Sequence, residues 1–123
     1  MKTKPLTFLL ALTFLFLLSG SVYGGVLQDA DDAYERGNYK EAVKWWKLAA
    51  EQGDADAQYN LGHMYYKGQG FPQDYALAHM WFNICSPSKD EECMDNRNIV
   101  EKEMTPQQIE KAQEMARNWK PKK

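Results

Sequence analysis

From Leu27 onward, apolar residues recur every three or four positions, the spacing of one face of a helix. Leu27, Ala30 and Tyr34 form the first such stripe, and Tyr39, Ala42, Trp46 and Ala49 the second. Ala57, Leu61, Met64, Tyr65 and Gly68 form a third, and Tyr75, Ala78, Phe82 and Cys85 a fourth. Cys93, Val100 and Met104 outline a fifth, and Ile109, Ala112, Ala116 and Trp119 a sixth. The stripes are separated by stop signals: Gly37-Asn38, Gly53-Asp54, Gly68-Gln69-Gly70, Pro87 and Thr105-Pro106. Thr105-Pro106-Gln107-Gln108 also reads as a helix start, with Thr as N-cap, Pro in the first turn and Gln closing a capping box. No window after Gly24 alternates apolar and polar residues as a half-buried strand does. The pattern predicts an all-α chain of six helices.

Sliding the sequence by 36 positions superimposes the second stripe on the fourth. Tyr39 falls on Tyr75, Ala42 on Ala78, Trp45 on Trp81, Trp46 on Phe82 and Ala49 on Cys85. The same shift takes Asp54 to Asp90 and Ala57 to Cys93. A constant offset with matching chemistry marks a stacked helical repeat. Upstream, Gly37 matches Gly68 at an offset of 31, so the second unit holds five extra residues in its inter-helix turn. Three antiparallel helix pairs follow, each needing a neighbour to bury its apolar face.

The first 24 residues stand apart. Lys2 and Lys4 precede an apolar run from Leu6 to Leu18, and small, turn-forming residues follow from Ser19 to Gly25. That order predicts a secretory leader over 1–24, with cleavage after Gly24 or after Ser21. An uncleaved anchor is the other reading, but the run is shorter than the ~20 residues a bilayer span takes. Leu18-Ser19-Gly20 opens like a lipoprotein box, yet Ser21 stands where the lipidated cysteine belongs. An exported protein is expected, periplasmic or secreted, in a compartment where disulfides persist.

Composition narrows the class. The chain has 123 residues, 44% of them apolar, with 15 Lys+Arg against 17 Asp+Glu. That suits one small folded domain rather than a disordered chain. Lys2 and Lys4 are the only bases before Asp29, so the chain beyond the leader is more acidic still. An acidic balance argues against a reader of nucleic-acid backbone.

Residues Ala42 to Tyr75, AVKWWKLAAEQGDADAQYNLGHMYYKGQGFPQDY, resemble the Sel-one-like repeat (SLR), a relative of the tetratricopeptide repeat. The likeness is strong from Tyr39 to Phe82 and fair from Ala33. After Ser86 the repeat text gives way to Ser86-Pro87-Ser88-Lys89-Asp90, so about two and a half repeats are present. The resemblance implies an α/α superhelix: a first helix pair over 25–54, a second repeat over 55–90, a degenerate capping pair over 91–120 and a tail over 121–123. It implies small residues at close helix crossings (Ala42, Ala78, Gly62) and rings filling space between pairs (Tyr39, Tyr65, Tyr75, Trp46, Phe82).

Cys85 and Cys93 take the places of Ala49 and Ala57, at the end of one helix and the start of the next. Backbones approach closely there, and the pair resembles that of the cysteine-rich exported SLR proteins, which bridge at this register. A disulfide is the expectation; a redox pair or half a metal site is the alternative, and Cys-x-x-Cys spacing is absent.

Catalytic patterns are sparse. Ser86-x-x-Lys89 matches the motif of penicillin-recognising enzymes, and β-lactam binding or hydrolysis is attributed to cysteine-rich SLR relatives. Here, though, the serine closes a helix, Pro87 interrupts it, and the companion motifs are missing. His63 and His79 have no His, Asp or Glu four residues away and read as surface or semi-buried side chains. The acidic clusters Asp29, Asp31, Asp32, Glu35 and Asp90, Glu91, Glu92 read as helix starts, where carboxylates suit the dipole. No oxygen-rich calcium loop appears, and no metal or cofactor is expected.

What remains is surface. Opposite the Ala57/Leu61/Tyr65 stripe lie Tyr59, His63 and Tyr66, flanked by Asn60 and Lys67. The resemblance places first helices on the concave side, so these five residues are the candidate contact face for a protein or peptide of the cell envelope. The expected role is an adaptor or scaffold, as a monomer or weak oligomer, without membrane insertion after leader cleavage. Leu77, Met80 and Ile84 make the fourth helix apolar all round, which predicts that the C-terminal pair packs over it.

Overall fold

Side chains just ahead of four of the helices satisfy their first free amides, and these caps decide where those helices begin. The computed structural model describes residues 25–85, 87 and 90–122. Residues 25–35 form α1, followed by α2 (Tyr39–Glu51), α3 (Ala55–Lys67), α4 (Tyr75–Cys85), α5 (Asp90–Glu101) and α6 (Pro106–Asn118). Asn38 caps α2 by accepting from the Glu41 amide, and Asp54 caps α3 by accepting from the Ala57 amide at 2.8 Å. One repeat later, Asp74 plays the part of Asn38 and accepts from the Leu77 amide at 3.0 Å. Thr105 and Gln108 form the expected capping box at α6. No strand occurs among the described residues. The leader expected over 1–24, and Ser86, Ser88 and Lys89, lie outside them.

The acidic cluster on α1 does not open a helix. The chain is already helical at residue 25, and Glu35 is the last residue of α1. Asp31, Asp32 and Glu35 lie beyond the first turn of the described helix, where the dipole no longer favours a carboxylate.

The two turns matched at an offset of 31 differ as expected. Gly37 and Gly68 both take positive φ, 77° and 70°. The longer second turn folds back on the first pair. Gly70, at φ 85°, sits where a Cβ would lie 2.8 Å from the Tyr39 carbonyl oxygen and from Val43 Cγ2. Phe71 stacks on Tyr65 with ring centres 3.9 Å apart. The extra residues therefore bind the second pair to the first.

Two apolar clusters form, and α4 contributes to both with different faces. Met80 and Trp81 join Ala30, Ala33, Trp46, Leu61 and Met64, and Leu77 and Ile84 of α4, Met115 and Ala116 of α6 and the α6 C-cap Trp119 pack at the margin of this cluster. Ala78, Phe82 and Cys85 meet Cys93 and Val100 of α5. The all-round apolar character of α4 is thus covered, with α6 packing over the predicted face and Trp119 edge-on to Trp81. Both α5 and α6 pack on α4 more closely than on each other. The expected tail also docks: the Lys122 amide donates to the Glu51 carbonyl at 2.8 Å and its Nζ lies 3.0 Å from Glu51 Oε2.

His79 is fully buried rather than surface or semi-buried. Its Nε2 lies 2.8 Å from Glu101 Oε1, a partner 22 residues away on α5 that helical spacing alone does not reveal. The Cys85 and Cys93 sulfurs lie at bonding distance with Cα atoms 6.0 Å apart, within the span a disulfide needs. No helix among the described residues is long and apolar enough to cross a membrane.

Candidate functional site

The repeat offsets place Asp31 where the next unit has Gly62, and Trp46 where it has Phe82. In the second unit the glycine lets the ring close on the helix: a Cβ on Gly62 would lie 2.7 Å from Phe82 Cε1. In the first unit a carboxylate side chain occupies that position, and a groove opens beside Trp46 between α1 and α3. It consists of two adjoining hollows of about 300 and 310 Å³. Asp31, Trp46 and Asn60 line both; Tyr34, His63, Met64, Lys67 and Gln69 complete one, and Leu27, Asp56 and Tyr59 the other.

Four of the five expected contact residues thus come together: Tyr59, Asn60, His63 and Lys67. Tyr66 does not line the groove; its ring packs on Tyr75, 5.7 Å between centres. Nor is the face as open as the helical wheel implies. Tyr59 is half-buried, edge-on to His63 at 4.7 Å and tilted on Phe82 at 5.9 Å, and its hydroxyl accepts from Asn96 Nδ2 at 3.5 Å. Space between pairs is filled from both helices, and a wheel of α3 alone does not show the rings of α4.

Leu27, Asp31, Tyr34, Trp46, Asp56, Met64 and Gln69 complete the groove and were not among the expected contact residues. The signal for Asp31 was present: aligning Gly37 with Gly68 sets it against Gly62, an exchange of side chain for none where helices meet. Trp46 is only 4% exposed, and its indole Nε1 has no hydrogen-bond partner.

His63 Nδ1 is likewise buried without a partner. Burial, and secondarily the Lys67 ammonium, push the His63 pKa below the ordinary 6.5. The unfolded chain therefore binds the proton first as pH falls. The stability that neutral His63 contributes is full above pH 6.5 and declines from there down through the lowered folded value. His63→Gln should flatten that decline, read as urea midpoints at about pH 7.5 and 5.5. Parallel losses in both proteins would refute it.

No group of three His, Cys, Asp or Glu among the described residues is arranged to hold a metal. The disulfide-distance cysteines link α4 to α5 and line neither hollow.

The Sel1 repeat family model matches residues 32–54 and 55–84. An uncharacterized Sel1-like repeat-containing protein of Schizosaccharomyces pombe is 42% identical over 50 residues, covering 41% of this chain and 8% of the relative. Among solved structures, a protective antigen present in uropathogenic Escherichia coli strains, displaying an SLR fold, superimposes with a TM-score of 0.71 at 30% identity. That match covers 79% of this chain and 22% of the antigen chain. This chain therefore spans only a small part of the length of the proteins it resembles. Matches to the Sel1 repeat model over 32–84, helix pairs that recur at the offsets seen in the sequence and an SLR-fold neighbour across 79% of the chain together show a Sel1-like repeat architecture.

Proposed function

We propose that this protein is an exported interaction module, an adaptor or scaffold whose α1/α3 groove holds a segment of a partner protein in the cell envelope. Sel1 repeats are in general protein-interaction modules. The observation that carries the site assignment is the groove itself, a cleft walled by two helices with Trp46 fixed by packing and Asn60, His63 and Lys67 along one side. Rigid walls reduce the ordering cost of binding, and aromatic and amide groups supply contact area and hydrogen bonds. Export is supported by the order of charge, apolar run and small residues over 1–24.

The test places a photo-crosslinking side chain at Asn60, and at Leu48, an exposed position on α2, as control. In the native envelope, adducts specific to position 60 are expected. The same adducts at both positions would discard the groove. The mass of the recovered protein checks export, which predicts loss of the residues up to Gly24 or Ser21.

A further inference from the structure

The charges along the groove are segregated. Its charged lining residues are Asp31, Asp56 and Lys67. Asp56 stands in the first turn of α3 and Lys67 in the last, so the groove runs from an acidic end to a basic one. Asp31 reaches in from α1 near the middle, opposite Asn60. Beside the acidic stretch lie Tyr59 and Trp46, whose ring faces suit a cation as well as an alkyl stem. At the other end His63, held neutral near pH 7 by burial and Lys67, leaves Lys67 as the single positive charge. A neutral or apolar segment would partly desolvate these charges without offering them an opposite charge in return.

Distances set the ligand's length. Positions 56 and 67 are about 16 Å apart along a helix rising 1.5 Å per residue, and positions 60 and 67 about 10 Å. An extended chain advancing about 3.3 Å per residue covers those spans in roughly three to five residues.

We propose that the groove takes an extended peptide segment bearing a Lys or Arg and, about three to five residues away, a carboxylate, with the cation toward Asp31 and Asp56 and the carboxylate toward Lys67. The inference rests on the groove assignment above and adds the chemistry of the occupant. Charge complementarity here sets which segment is accepted and how it is oriented.

A panel of end-capped, fluorescent peptides tests it on the full chain. Two carry one Lys and one Glu in either order, separated by three small residues; others carry two Lys, two Glu or no charge. At low salt a mixed-charge peptide should bind at least tenfold more tightly than the uncharged one, and the difference should shrink as salt shortens the screening length. Asp31→Lys should move the preference toward the two-Glu peptide, and Lys67→Glu toward the two-Lys peptide. Both substituted residues are exposed, so the variants leave the core untouched. Binding of all five peptides alike, or variants that keep the wild-type preference, overturns the charge assignment while the groove stands. Failure of every peptide while envelope adducts at position 60 persist also overturns it and again spares the groove. Failure of both peptides and adducts removes the two together.

Discussion

Phe82→Ala is expected to destabilise the fold by about 3–5 kcal/mol, the range for removing a fully buried aromatic ring. Phe82 has no exposed surface, is the largest fully buried side chain, and joins α3, α4 and α5 through Tyr59, His63 and the Ala78–Cys85–Cys93–Val100 cluster. The opposite change across the same contact should also destabilise. Gly62→Ala improves helix propensity by about 0.5–1 kcal/mol. Its Cβ, however, would lie 2.7–3.0 Å from three atoms of the Phe82 ring. Overpacking of this kind costs about 1–3 kcal/mol and should win. Because one contact is altered from both sides, Phe82→Leu introduced into Gly62→Ala should cost less than the two single changes added, by about 0.5–3 kcal/mol. Urea unfolding followed by helical circular dichroism measures all four proteins; strict additivity would show that glycine is not required at position 62 by the ring.

The second large effect concerns the cysteines. Closing the loop from Cys85 to Cys93 should stabilise by roughly 2–3 kcal/mol on the chain-entropy estimate. For a domain of this size that corresponds to about 10–20 °C in Tm. A reductant should lower the Tm of the wild type and leave the reduced-like Cys85→Ala/Cys93→Ala protein unchanged. The loss should concentrate on α5, whose buried face consists mainly of Cys93 and Val100. Two free thiols in protein recovered from an oxidising compartment would sink the prediction. So would equal responses of wild type and variant to reductant. The physical need is visible in the chain: the first repeat ends α2 with Gly53 at φ 104°, whereas the stretch after α4 has no glycine at the matching place. A covalent link is suited to hold a connection whose sequence lacks the usual glycine stop.

The architecture was legible where its causes are local. Asn38, Asp54 and Thr105 cap helices by accepting from the amide three residues on, and such bonds need only neighbouring residues. The role of Gly62 was also visible, because the resemblance to the repeat implies a small residue where helices cross, and its Cβ would indeed meet Phe82. The groove was legible on one side only. Asn60, His63 and Lys67 share a face of α3, and a wheel finds them. Tyr66 shares that face in projection, but Tyr75 from the next helix takes it up. Asp31 was read as a dipole-favoured carboxylate at a helix start, an error about where α1 begins that hid its place in the groove.

By itself, the amino-acid order determined six helical segments, their stops, the Thr105 cap, the repeat offsets and the meeting of Cys85 with Cys93. Each follows from periodicity, hydrogen bonding or equivalence over short distances along the chain. Tertiary packing alone decided that His79 is buried against Glu101, that Lys122 returns to Glu51, and that a cleft opens at Asp31 and Trp46 rather than at Gly62 and Phe82. Those outcomes depend on how the volumes and charges of distant helices meet, and the pattern of any one helix carries no record of its neighbour's side chains.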